Sequence, residues 1–176
     1  MNPHDHDEHW MRHALTLAQK AADAGEVPVG AVVVVRDDNG DERIVGEGWN
    51  QPIGSHDPTA HAEMMALRQA AQTLQNYRIP HAEIFVTLEP CTMCTGAMVH
   101  ARIARLIYGT TEPKAGAVIS QNQLLDHPAM NTRVEVTGGV LAEPCARMLQ
   151  DFFARRRQQH RDRREQREQR EQKPQS

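Results

Sequence analysis

An α/β fold built on a mixed sheet of about five strands is what the sequence predicts, and three features carry that prediction. Short β-branched runs alternate with longer segments whose apolar residues recur at helical spacing, the pattern of strands joined by helical crossovers. Two of the runs flank Asp37-Asp38-Asn39-Gly40, a hairpin turn signal, so one strand pair is antiparallel in a sheet whose other connections cross over. The run Val29-Gly30-Ala31-Val32-Val33-Val34-Val35 lacks polar alternation, so helices are expected over both of its faces.

The elements follow in order. From Glu8 to about Ala24, the residues Trp10, Met11, Ala14, Leu15, Ala18 and Ala21 recur at helical spacing, and Gly25 supplies a stop. Residues 27–35 form a strand and residues 43–50 its return, ending at Asn50; residues 51–58 are a loop. Thr59 serves as N-cap for a helix over residues 60–76, which puts His61 and Glu63 in its first turn. Residues 84–88 are a third strand, and Pro90 suits the first position of a helix reaching about Arg102. Residues 105–109 and 133–136 supply two further strands, and a closing helix runs from Ala142 to Arg157 or beyond. The expected organisation is one domain over residues 1–157 and a basic, polar tail over 158–176, as frayed helix or disorder, because the tail has no apolar face to bury.

With 39% hydrophobic and 24% charged residues, the composition is that of a globular protein. No apolar run reaches the roughly 18 residues of a membrane helix, and the polar, acidic N-terminus does not resemble a signal peptide. The expected compartment is the cytoplasm, with no membrane partner. Three cysteines are an odd number for a disulfide framework, and Cys145, within the closing helix, reads as a small buried hydrophobe. The histidines at 4, 6, 9 and 13 are irregularly spaced and read as solvated surface. From Arg155 to the end, nine Lys/Arg against four Asp/Glu make +5, so the rest of the chain, 11 against 19, carries −8. A basic tail on an acidic body suits a polyanionic partner, although a solvated helix of alternating charge gives the same arithmetic.

The chemistry gathers in His61-Ala62-Glu63 and Pro90-Cys91-Thr92-Met93-Cys94. Cys91 and Cys94, at i and i+3, emerge from one helix face in the first turn, where the helix dipole and free N–H groups favour thiolates. With His61 they make three ligands of a type that favours zinc, leaving the fourth position for water, as a catalytic site requires. Glu63 near the same helix mouth suits a general base. Two blander readings stand beside this one. His56 and His61 with the cysteine pair could close a four-ligand structural site, and the Cys-x-x-Cys could be a redox dithiol.

The metal motif, with Glu26-Val27-Pro28-Val29-Gly30-Ala31, Gly46-Glu47-Gly48-Trp49-Asn50, His56-Asp57-Pro58-Thr59-Ala60, Thr87-Leu88-Glu89, Asn76-Tyr77-Arg78 and Asp151-Phe152-Phe153, resembles the zinc nucleoside deaminases of the cytidine and deoxycytidylate deaminase superfamily. Within these it looks like the bacterial tRNA-specific adenosine deaminases, and the resemblance runs from about Trp10 to Arg157. It implies a three-layer α/β/α fold, a homodimer, one Zn2+ per subunit, and deamination of adenosine to inosine at the wobble position of a tRNA anticodon stem-loop. His61, Cys91 and Cys94 would hold the zinc. Glu63 would shuttle protons while a zinc-bound hydroxide attacks adenine C6. Asn50 would contact the base, Val27 and Ala62 would line the pocket, and Glu112 and Lys114 would lie on the loop near the nucleotide. Glu112 stands where these proteins more often carry aspartate. Given an RNA partner, Arg155, Arg156 and Arg157 would contact phosphates, and truncation of the basic tail after Gln158 is expected to weaken RNA binding. A free-base cytosine or guanine deaminase shares the signature, whereas a zinc-stapled RNA-binding adaptor would have no use for Glu63.

Overall fold

The valine-rich run is β1 (Gly30–Arg36), and it lies between two strands in the sheet. The computed structural model describes residues 2–171. Before β1 comes α1 (Pro3–Asp23), and after it come β2 (Glu42–Trp49), a short α2 (Pro52–Ser55), α3 (Ala62–Leu74), β3 (Glu83–Leu88), α4 (Thr92–Ala101) and β4 (Arg105–Thr110). A 3-10 turn (Leu124–Asp126), β5 (Glu135–Gly138) and α5 (Ala142–Glu171) complete the chain. The strand order is β2-β1-β3-β4-β5. β1 is antiparallel to both of its neighbours, and β3, β4 and β5 are parallel, so the sheet is mixed as expected.

Successive side chains of β1 enter opposite layers, as strand geometry demands. Ala31 and Val33 pack with Ala62, Ala66, Ala70 and Met98 of α3 and α4. Val32 and Val34 pack with Met11, Ala14 and Leu17 of α1 and with Cys145 of α5. The sheet is thus sandwiched between two helical layers, which explains a strand with no polar face. Cys145 is a core residue, as its sequence context suggested. α3 sits hard against the edge strand because Gly48 carries no side chain; a Cβ there would collide with the carbonyl oxygen of Ala62.

Since β1 runs against β2 and β3, the start of β1, the end of β2 and the ends of β3 and β4 lie along one edge of the sheet. The candidate site residues gather on this edge. At the opposite edge, Arg105 donates to both carboxylate oxygens of Asp7, at 2.8 and 2.5 Å, and His6 bridges to Glu42 at 2.8 Å.

Several boundaries differ from the sequence reading. α1 starts at Pro3 rather than Glu8, because the side chain of Asn2 accepts from Asp5 N at 2.9 Å and Pro3 needs no N–H at the first helical position. This lengthening corrects the reading of the N-terminal histidines as solvated. His4 and His9 are exposed, but His6 is half-buried in the Asp7–Arg105 cluster and His13 meets Glu47 at 2.5 Å. α3 is capped at His61, not Thr59, and the helix after β3 begins at Thr92 with Cys91 as N-cap, not at Pro90. The loop over residues 51–58 contains α2, and the fifth strand lies two residues later than predicted. α5 continues as a single helix through the first part of the tail to Glu171; the last five residues lie outside the described part of the chain.

Candidate metal centre and active site

Two helix N-termini meet at the functional edge, and each arrives with a ligand as its N-cap. His61 has extended backbone, and its side chain makes no capping bond to α3. The N–H of Ala62 is satisfied from elsewhere, by Asn50 Oδ1 at 2.9 Å. Asn50 is itself fixed by its own N–H to Val29 O at 3.1 Å, and the next residue by Gln51 N–H to Ala60 O at 3.0 Å. With Asn50 serving as the cap, the His61 ring turns to the cysteines. Its Nδ1 lies 3.6 Å from both Cys91 Sγ and Cys94 Sγ.

These distances test whether zinc fits. With Zn–S near 2.3 Å and Zn–N near 2.0–2.1 Å, a tetrahedral ion sets its nitrogen and sulfur ligands roughly 3.6 Å apart. All three donor atoms lie within 4.8 Å of one another. Donor identity and spacing therefore both suit zinc. The structural alternative using His56 finds no support, since among the described residues the grouped metal donors are His61, Cys91 and Cys94 alone.

The donor groups are close enough to shift one another's protonation. The Cys91 thiol is lowered to about 4, chiefly by the Cys94 S–H and then by His61. Cys94 is correspondingly raised, because its proton bridges to Cys91 and because it is buried. His61 is raised by its contact with Cys91. Glu63, in the first turn of α3, is 4% exposed. Burial pushes its carboxyl up to about 7, and the Cys91 charge adds to the shift. A carboxyl that both holds and releases a proton near neutrality suits acid–base work.

Two buried carboxylates at this edge had no role in the sequence reading. Glu89, 2% exposed, ends the β3 segment two residues before Cys91 and accepts from the backbone of the following loop: Glu112 N at 2.9 Å, Val118 N at 3.2 Å, Ile119 N at 2.8 Å and Ser120 N at 2.9 Å, with the Ser120 hydroxyl as a fifth donor. Burial alone would push its carboxyl up, but these donors hold it below the usual range. The loop crosses directly over the carboxylate at Gly116, where a Cβ would strike it. Gly116 also bridges to Cys91, and Ala117 N donates to Pro90 O at 2.9 Å. Glu26 acts similarly on the other flank, accepting from Gly54 N of α2 at 2.7 Å. Both belong to segments that carry the family resemblance, but nothing in the sequence assigned them a role.

The predicted substrate-side residues occupy the same edge. Asn50 and Ala62 are in direct contact, and half-buried Val27 leads into β1. Glu112 and Lys114 lie on the loop that Glu89 anchors. The Glu112 carboxylate accepts from Lys114 N at 2.9 Å, and the Lys114 side chain is exposed.

Fold and donor set together define a class, an α/β/α protein whose paired helix N-termini present His, Cys and Cys for zinc. The model of the cytidine and deoxycytidylate deaminase zinc-binding region matches residues 4–110. The chain belongs to this zinc deaminase family. A tRNA-specific adenosine deaminase of Haemophilus influenzae is 52% identical over 153 residues, covering 87% of this chain and 86% of that protein. A tRNA(Ile)-lysidine synthase of Deinococcus radiodurans is 46% identical over 153 residues, which make up 25% of that longer protein. Among solved structures, one from work on A-to-I editing by tRNA:A34 deaminases shares 40% identity at a TM-score of 0.75, covering 80% of this chain and 99% of that one. A guanine deaminase from Bacillus subtilis shares 32% identity at 0.55, covering 89% and 95%. The fold is thus common to enzymes with different substrates, and no helix among the described residues is long and apolar enough to cross a membrane.

Proposed function

We propose that this chain hydrolytically deaminates adenosine to inosine at the wobble position of a tRNA anticodon, as a cytoplasmic homodimer with residues 1–157 as the catalytic unit. The observation that carries the substrate is the 52% identity, over most of both chains, with a tRNA-specific adenosine deaminase. His61, Cys91 and Cys94 would hold the zinc. When bound, zinc acidifies a water at its remaining position and so supplies a nucleophile near neutral pH.

The chain's own residues do the rest. Glu63 takes the proton that the water gives up and delivers it to the departing amino group, so that adenosine and water become inosine and ammonia. Its burial keeps competing solvent from that transfer. Asn50 uses its oxygen on Ala62 N and retains its amide N–H groups for the base. Glu89 holds the 112–120 loop in place before substrate arrives, which reduces the ordering cost of binding. The target base has to leave its stack to enter, so an unpaired loop nucleotide suits the site.

Inosine and ammonia formation from an anticodon stem-loop bearing a wobble adenosine tests this reading, with free guanine and free cytosine assayed alongside. Turnover of the stem-loop alone is the expected result. The Bacillus subtilis likeness makes guanine the competitor to watch; turnover of a free base without the stem-loop would replace the tRNA assignment.

A further inference from the structure

α2 buries none of its residues, yet hydrogen bonds hold it firmly in place. Just ahead of it, Asn50 N donates to Val29 O at 3.1 Å and Gln51 N to Ala60 O at 3.0 Å. Inside it, Gly54 N donates to Glu26 Oε1 at 2.7 Å. Ser55 Oγ donates to Gln51 O at 2.6 Å, and Asp57 N to Pro52 O at 3.2 Å. Glu26 is 3% exposed, and burying a carboxylate is costly unless hydrogen bonds replace its water. A turn that adds nothing to the core does not need such an anchor to keep the domain folded. What the anchor secures is the place of the turn's exposed face.

That face adjoins the metal donors. Gln51 pairs with the residue before His61, and Asn50 with the residue after it, so α2 starts directly beside His61. It presents Ile53, which is 61% exposed and the most exposed large aliphatic side chain among the described residues. No Asp, Glu, Lys or Arg occurs from Gly48 to His56. A surface without cations has no hold on a phosphate, and four residues are by themselves far too few for a stable protein interface. Rigid, apolar and uncharged, the turn suits the flat face of a nucleobase. Such faces become available at this edge when the target base leaves its stack, because each neighbouring base then loses a stacking partner.

We propose that Ile53 is a specificity-determining residue, the platform on which a base next to the target nucleotide stacks, and that Glu26 is the positioning residue that fixes α2 beneath that base. The proposal rests on the RNA substrate argued above. It places part of the recognition in the neighbour of the reacting base, through a side chain that touches neither the zinc donors nor Glu63.

The test measures Kd and turnover for wild type, Ile53→Ala, Glu26→Ala and the double variant on three anticodon stem-loops. One is intact, one is abasic on the 5′ side of the wobble adenosine, and one is abasic on its 3′ side. On the intact loop, Ile53→Ala is expected to raise Kd about fivefold, the low end of a base-stacking contact, with kcat nearly unchanged. On one of the two abasic loops, wild type and Ile53→Ala should bind equally. Glu26→Ala should also raise Kd for the intact loop, and the double variant should bind no worse than Glu26→Ala alone, since a displaced α2 no longer presents Ile53 to the base. An equal loss for Ile53→Ala on all three loops, or no loss on any, overturns the platform, and additive effects overturn the positioning role of Glu26. A change of oligomeric state in Ile53→Ala would assign α2 to an interface between copies and overturn the platform as well. Wild type that binds the intact loop without deaminating it would overturn the substrate reading, while the Kd comparison still decides the platform.

Discussion

The two edges of the sheet are both rich in charge, but they use it differently. At one edge, Asp7, Arg105, His6, Glu42 and Glu83 satisfy one another: Asp7 is 4% exposed and bound through both oxygens. At the other, Asn50, Glu26 and Glu89 accept from backbone N–H groups, and that leaves His61, Cys91 and Cys94 grouped as metal donors beside Glu63. The first arrangement is complete without any ligand, whereas the second is completed by a metal. A buried charged cluster is therefore informative only once its partners have been counted.

The largest expected effect on stability lies at the closed edge. Asp7→Asn removes the charge that accepts both hydrogen bonds from Arg105 and leaves that guanidinium only Thr137 and the longer contacts to Glu83 and Glu135, which should cost about 3 kcal/mol. Burial raises the Asp7 carboxyl, but Arg105 and His6 more than offset this and hold it below its ordinary 3.8. The stabilisation is therefore present above that value and lost as pH falls through the lowered one. Urea unfolding should show a wide gap between wild type and variant at neutral pH that narrows in acid, with zinc content unchanged. A gap independent of pH would mean that the Asp7 charge contributes little.

Glu89→Gln breaks the open edge in a different way. It keeps one acceptor oxygen for the Val118, Ile119 and Ser120 N–H groups but loses the acceptor for Glu112 N and the Ser120 hydroxyl. KM for the stem-loop should rise about tenfold, or about 1.4 kcal/mol, while zinc content stays constant. Loss of zinc instead would place Glu89 in support of Cys91 rather than of the loop. The smallest effect is expected for Asn50→Asp, which retains the cap on Ala62 N but removes the amide donor. Thermal stability should change by less than about 1 kcal/mol, with turnover of the stem-loop falling more than stability does. A large drop in melting temperature would show that the amide donor, not the cap, holds α3 against the end of β2.

The reach of the sequence follows the range of the interactions involved. The valine run, the Asn39-Gly40 hairpin and the Cys-x-x-Cys are local patterns found where the residues imply, and His61, thirty residues before Cys91, was legible through its residue type instead. The start of α1 escaped because Trp10 begins the apolar periodicity, while the helix is set by Asn2 and Pro3 well before it. His6 seemed solvated because its partner Glu42 belongs to a distant strand. The roles of Glu26 and Glu89 were illegible for a stronger reason. Their partners are backbone N–H groups, which every residue but proline carries and which no residue type announces. Asn50 was expected to touch the base, and its service as the cap of α3 became visible only when β2 and α3 were placed together.

The division of labour between three ligands and one carboxylate is tested most directly by measuring zinc and inosine on the same preparations of wild type and Glu63→Gln. One zinc per subunit is expected in both proteins, with a loss of turnover on the order of a thousandfold in the variant. Loss of zinc together with activity would make Glu63 a fourth ligand, and turnover near that of the wild type would remove it from the chemistry.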